Sequence, residues 1–142
     1  MVDQRLPRRL ARTSAWLFAM GLVTGLWARL VLTGRVVIPI PRLALAAHLN
    51  ALLGGLWLVA VAATLDGLRY GEMGRRRLAW AVIVPAWGNW VITLVASVLG
   101  VTGLEYTRDP TNNVVAALLQ IVVVLPSLVG AGAWAWGLGG KR

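Results

Sequence analysis

The chain has one histidine, His48, no cysteine, and five acidic residues, none of which falls within an apolar run. Without cysteine there are no disulfides, thiolate metal sites, iron–sulfur clusters or cysteine nucleophile. Without paired carboxylates inside the apolar runs there is no charged relay of the kind an ion-coupled transporter uses. The charged and strongly polar groups inside those runs include His48, Asn50, Asn89, Thr93, Gln120 and Arg29. A lone histidine in a helix is either a packed side chain or a ligand. Zinc held by side chains of one subunit needs several further ligands. A haem needs one axial imidazole, because the porphyrin supplies the other donors. The methionines Met1, Met20 and Met73 lie in or near the arginine-rich end and do not reach the depth of His48. A haem on His48 therefore keeps one axial side open, which suits a substrate or a gas better than pure electron transfer.

The elements that carry these residues follow from composition. Hydrophobic residues make up 58% of 142, charged residues 13%, and the mean hydropathy is +0.73. An ordinary soluble domain carries about 25% charge, so a water-facing surface is excluded; disorder needs the opposite balance. Four apolar runs, 14–32, 43–65, 78–101 and 114–138, are each long enough to cross a bilayer as a helix. The first lacks a small-x-small cleavage site and contains Arg29, so it reads as a span rather than a signal peptide. Gly34, Pro39 and Pro41 break the chain between the first two spans. Asp66, Gly67, Gly71 and Gly74 break it next, then the stretch 103–113. Such short connectors predict antiparallel neighbours. The fold class is all-α: a single domain, 1–142, built as an integral membrane four-helix bundle.

The net charge of +9 sorts by side. Arg5, Arg8, Arg9, Arg12, Arg69, Arg75, Arg76, Arg77, Lys141 and Arg142 fall on one side. Arg29, Arg35, Arg42 and Arg108 fall on the other. The bias predicts a multi-pass protein with both termini cytoplasmic. It assigns Arg75–Arg77 to topology and lipid headgroups rather than to nucleic acid.

Topology then sets depth. At helical rise His48 lies about 8 Å from the outer side, Asn50 about 10 Å, Gln120 about 9 Å, Thr93 about 12 Å and Arg29 about 5 Å, with Asn89 nearer the midplane. Polar groups of four helices thus share one layer, either as interhelical hydrogen bonds or as a site. Eight of eleven aromatics are Trp. Trp16, Trp80, Trp134 and Trp136 read as an interfacial belt. Trp57, Trp87 and Trp90 lie deeper, where Trp87 either packs or walls a flat cofactor. Gly21 and Gly25 form a small-xxx-small pair; Gly54 and Gly55 either bring helices close or clear room for a porphyrin. Pro85 and Pro126 kink their spans.

The segment from His48 to Ala62, His-Leu-Asn-Ala-Leu-Leu-Gly-Gly-Leu-Trp-Leu-Val-Ala-Val-Ala, opens span two, and Ala86-Trp87-Gly88-Asn89 opens the buried half of span three. This pairing resembles the styrene oxide isomerase family of small integral membrane proteins, as does the plan of four spans with basic cytoplasmic ends. The resemblance implies a homotrimer with haem b at the subunit interface. It implies His48 as axial ligand to the iron, and ferric iron as a Lewis acid that opens an epoxide to a carbonyl product. It places Asn89 on the family's Trp-x-Asn asparagine. Two positions depart from the family pattern: Gly54 stands where the family has asparagine, and Thr93 where it has tyrosine. The ligand side is kept and the substrate side altered.

The leading expectation is a haem b-dependent isomerase of a bacterial-type inner (plasma) membrane, acting on a small apolar substrate. Thr93, Asn50 and Asn89 form its substrate side; His48, Gly54 and Trp87 flank the cofactor. Arg29, Arg35 and Arg42 pair with propionates or merely anchor the interface. The rival readings are a haem sensor or redox module and a haem-free accessory protein.

Overall fold

The computed structural model describes residues 5–140, so Met1, Lys141 and Arg142 lie outside the described residues. The described chain is helical, with no strand. Helix α1 is Arg5–Leu32, α2 is Pro41–Thr64, and a short 3-10 turn, Leu65–Gly67, leads to α3, Glu72–Leu99. The fourth span runs from α4 (Pro110–Leu118) through a π-helical segment (Leu119–Val124) into α5 (Leu125–Leu138). All four spans are long and apolar enough to cross a membrane. Each is longer than its apolar run, because polar residues at the ends continue the helix: Arg5–Thr13 prefix the first and Glu72–Arg77 the third. The third ends earlier than its apolar run, at Leu99, because Gly100 adopts φ +74° and its N–H closes on the Ala96 carbonyl. This is the left-handed stop that glycine allows.

The other ends have equally local causes. Pro41 and Pro110 occupy first turns, where a missing N–H costs no helical bond. Asp109 caps α4 by accepting the Thr111 N–H at 2.8 Å. Pro85 stands inside α3 and cannot donate to the Ala81 carbonyl. Gly130 of the fourth span lies over that carbonyl: a Cβ there would stand 2.9 Å from it. Pro126 likewise breaks the ladder just past the π-helical segment, and such wide turns cluster at breaks of this kind and at sites.

Consecutive helices are antiparallel. Helix α1 packs along α2, α2 along α3, and the fourth span principally along α3. The main core is formed by Leu10, Leu17, Ala51, Leu58, Val82, Ala86 and their neighbours. The fourth span is the least enclosed: 17% of its apolar stretch is buried, against 39% for α3. Its outward face, including Ile121, Leu125, Leu128 and Val129, is left to lipid or to other copies of the chain. Four passes bring the start of α1, the α2–α3 connector and the end of α5 to one end, which gathers Arg5, Arg8, Arg9, Arg12, Arg69 and Arg75–Arg77. Arg35, Arg42 and Arg108 lie at the other.

Candidate functional site

His48 sits two turns into α2, half-buried, on the flank turned to α1. Its Nδ1 lies 2.7 Å from the Gly21 carbonyl oxygen. A carbonyl has no proton to give, so Nδ1–H donates, and the tautomer that does so has its lone pair on Nε2. Nε2 has no hydrogen-bond partner among the described residues. The ring reaches this position because residue 25 has no side chain. A Cβ on Gly25 would stand 2.7 Å from Cε1 and 2.8 Å from Nδ1 of His48. Gly21, one turn away, meets α2 at Ala51 and Leu52. The small-xxx-small pair therefore does more than bring helices together: Gly25 makes the cradle and Gly21 fixes the tautomer. The spacing signals helix contact; it does not say which residue fills the gap.

Asn50 lies two residues on, about 200° around α2 at 100° per residue, and turns to α3. Its Nδ2 donates to Asn89 Oδ1 at 3.1 Å and to Thr93 Oγ1 at 3.0 Å, and the Thr93 hydroxyl lies 3.4 Å from the same Asn89 oxygen. The sequence layer is thus physical for these three residues. Asn89 Oδ1 takes both contacts, so its Nδ2 is the atom left over, with no partner among the described residues. The Asn50 side-chain oxygen, Oδ1, has none either. Both asparagines line a cleft of about 200 Å³ with Leu53, Gly54, Trp57, Pro85, Ala86, Val123 and Ser127. The two asparagine amides and the Ser127 hydroxyl are thus the polar side chains of an otherwise apolar wall.

Thr93 is buried behind the asparagines and is not in the cleft wall. Gly54 is: a Cβ there would stand 3.3 Å from Ala86 Cβ and 3.4 Å from its carbonyl, so Gly54 both narrows the α2–α3 crossing and lines the cleft. Trp87 stacks edge-on to Trp90, centroids 5.6 Å apart, against the main core. Trp90 Nε1–H donates to Thr24 at 3.0 Å, joining α3 to α1. Gln120 leaves the layer: it is exposed, in the π-helical segment, 3.4 Å from the Tyr106 hydroxyl of the outer connector. Ser127 enters the cleft unannounced, one residue past Pro126; the shift in register through the π-helical segment hides it from helical periodicity.

Arg29 and Arg35 line a shallow groove with Leu26, Leu30 and Thr33, at the outer end of α1 beyond Gly25. Arg42 is exposed at the start of α2 and is not part of it. Among the described residues no group of three His, Cys, Asp or Glu could hold a metal ion, so His48 Nε2 is the nitrogen this chain can give to one.

A family model described as styrene oxide isomerase matches residues 6–139. The hydroxylaminobenzene mutase HabB of Ectopseudomonas oleovorans is 27% identical over 143 residues, covering 96% of this chain and 83% of that protein. No solved structure matches. The family match takes in all four spans, with His48, the two asparagines and Thr93 inside it, and on that ground the chain belongs to the styrene oxide isomerase family.

Proposed function

We propose that the protein is a haem b-dependent membrane isomerase. The observation that carries this reading is the His48 ring, whose Nδ1–H is held by the Gly21 carbonyl and whose Nε2 has no partner among the described residues. Histidines that ligate metals commonly donate their other N–H to a backbone carbonyl in this way, which fixes the tautomer and raises ligand basicity. One imidazole with no acidic neighbours suits a haem axial position. Bound at His48, haem supplies a Lewis-acidic iron to a substrate oxygen.

The chain's own residues do the rest. In this reading Asn89 Nδ2–H donates to that oxygen, and Asn50 Oδ1 accepts from the substrate. Leu53, Trp57 and Val123 exclude water and receive an apolar group. The names of the family and of the HabB relative point to one substrate class. Styrene oxide and hydroxylaminobenzene both carry oxygen on the atom bonded to a benzene ring. Breaking that bond to oxygen leaves positive charge that the ring spreads, and the product of an isomerase keeps every atom. An epoxide of this type gives a carbonyl compound.

His48 and the asparagine pair occupy opposite flanks of α2. They meet across one bound molecule only if a second copy contributes one of the two flanks, so the reading includes haem at the interface of a homotrimer. Arg29 and Arg35 are suited to the propionates, as arginine pairs with carboxylates in a fork. The basic end is cytoplasmic in a bacterial-type inner membrane, by the excess of arginine there. A haem sensor or redox module is the second reading; the enclosure of the Thr93 hydroxyl behind Asn50 favours it, since that removes one donor from the substrate side.

The test is an absorption spectrum of the purified protein, then product analysis with styrene oxide and with hydroxylaminobenzene. A Soret band with turnover of either supports the isomerase. A Soret band with no turnover, but with carbon monoxide binding on reduction, moves the assignment to the sensor or redox reading. Co-expression of His48→Ala with Asn89→Leu tests the shared site. Activity recovered from two inactive variants supports a site built from two copies, and none recovered counts against it.

A further inference from the structure

The arginine-rich end holds a further cavity, larger than the cleft beside Asn50. About 450 Å³ lies in an open cleft between the start of α1 and the α2–α3 connector, lined by Arg5, Arg9, Arg75, Arg76, Asp66 and Glu72 over a floor that includes Leu6, Pro7 and Leu65. Four arginines against two acids leave an excess of two positive charges. Topology does not require this arrangement. The positive-inside bias counts arginines near span ends and is indifferent to where they point. Here residues more than sixty positions apart in sequence converge on one space, while Arg8, Arg12 and Arg77 stay outside it.

The groups in the wall are not equivalent. Arg75 is fully engaged: its Nε donates to the Tyr70 carbonyl at 3.0 Å, and its terminal nitrogens reach the Asp66 and Leu68 carbonyls and the Asp66 carboxylate at 3.5 Å. It shapes the connector and cancels Asp66. Arg9 and Arg76 have no hydrogen bond or ion pair among the described residues. The cavity also meets the N-terminus of α3, whose cap Gly71 offers no side-chain acceptor to the first-turn N–H groups. A 28-residue helix directs positive potential to that point.

We infer that this cavity binds the phosphate of an anionic phospholipid headgroup, with Arg9 and Arg76 as its ligands. Phosphate is the chemistry that unpaired guanidinium groups and helix N-termini both favour. A lipid rather than a free phosphate ester is indicated by the site's place at the ends of two spans and by its apolar floor, which suits the glycerol carbons. The inference is independent of the haem reading.

The test uses the full-length protein in nanodiscs of phosphatidylcholine alone, or of phosphatidylcholine mixed with phosphatidylglycerol. Retained lipid is read by native mass spectrometry after transfer to detergent. The wild type is expected to keep phosphatidylglycerol in preference to phosphatidylcholine. Arg9→Gln with Arg76→Gln is expected to lose that preference, by about five-fold for each arginine removed. Arg8→Gln with Arg77→Gln removes equal charge from the same end outside the cavity, and is expected to keep the preference. Equal losses in both double variants would mean diffuse attraction and overturn the site. Wild type that retains both lipids equally overturns it without any variant. Thermal protection by free glycerol phosphate in pure phosphatidylcholine, equal to that from phosphatidylglycerol, would identify a soluble ligand and overturn the lipid assignment.

Discussion

The two flanks of α2 handle polarity in opposite ways. On the α3 flank, Asn50, Asn89 and Thr93 bond to one another through three contacts of 3.0 to 3.4 Å. On the α1 flank, His48 finds a single backbone oxygen and keeps one nitrogen without a partner among the described residues. A side-chain network that closes on itself holds helices together wherever the chain folds. An imidazole half-buried among apolar helices with one nitrogen left unpaired has an unmet demand, because polar groups in such surroundings are costly without a partner. The contrast separates a flank built for assembly of the chain from one built for something the chain does not contain. The cleft atoms of Asn89 and Asn50 sit between these cases, anchored by one end and available at the other.

The sharpest way to break this contrast is His48→Ala. Haem, measured by Soret absorption and pyridine haemochrome, is expected to be absent from the purified variant while helicity is unchanged. Full haem occupancy would remove the cofactor reading altogether.

Gly25→Ala is the next largest. The new methyl carbon would fall within 3 Å of the imidazole, a rigid ring that cannot flex away as a long side chain would. Haem affinity is expected to fall by about ten- to a hundred-fold, as for loss of other groups that orient a metal ligand. Titration of the apoprotein with haem measures it. Unchanged affinity would show that the cradle does not position His48.

Asn50→Leu strikes the other flank. It removes both donors to Asn89 and Thr93, and a buried bond lost with its partner left behind costs about 1–3 kcal/mol in water-soluble proteins, nearer 1 within a membrane. Thermal or detergent unfolding should show the loss, with haem retained. Loss of haem to the same degree as stability would mean that the two flanks are one structure, and the contrast would fail.

Thr93→Ala is expected to be smaller still. Its hydroxyl touches the asparagines and not the cleft, so it acts on turnover by positioning them. Stability should drop by under about 1 kcal/mol. Haem should be retained in full, and KM should shift more than kcat if Asn50 contributes mainly to substrate binding. A Soret band displaced as far as in Gly25→Ala would place Thr93 beside the cofactor instead.

Particular residues show how far the sequence could be read. The four spans were legible because apolar runs of that length have few alternatives, although their ends were not: Arg5–Thr13 and Glu72–Arg77 extend helices past the apolar stretch, and Gly100 shortens one. The shared layer of Asn50, Asn89 and Thr93 was legible from rise alone. Gln120 was placed in the same layer by the same arithmetic, yet it turns outward to Tyr106. The π-helical segment adds rotation that a count of 3.6 residues per turn omits. Ser127 was hidden by the same shift.

By itself the sequence determined which residues lie within the apolar spans, how far along its span each one sits, which end carries the arginines, and that a single imidazole is the nitrogen ligand the chain can offer. A rise of about 1.5 Å per residue converts position into depth with no knowledge of neighbours. Only the tertiary structure decided what faces each residue. The order and tilt of packed helices set that, through contacts between residues far apart in the chain. So it is the fold that seats His48 on Gly25, fixes its proton toward Gly21, and sets Asn50 and His48 back to back across one helix. Likewise only the fold gathers Arg9 and Arg76 around one cavity, where the sequence shows two separate basic clusters.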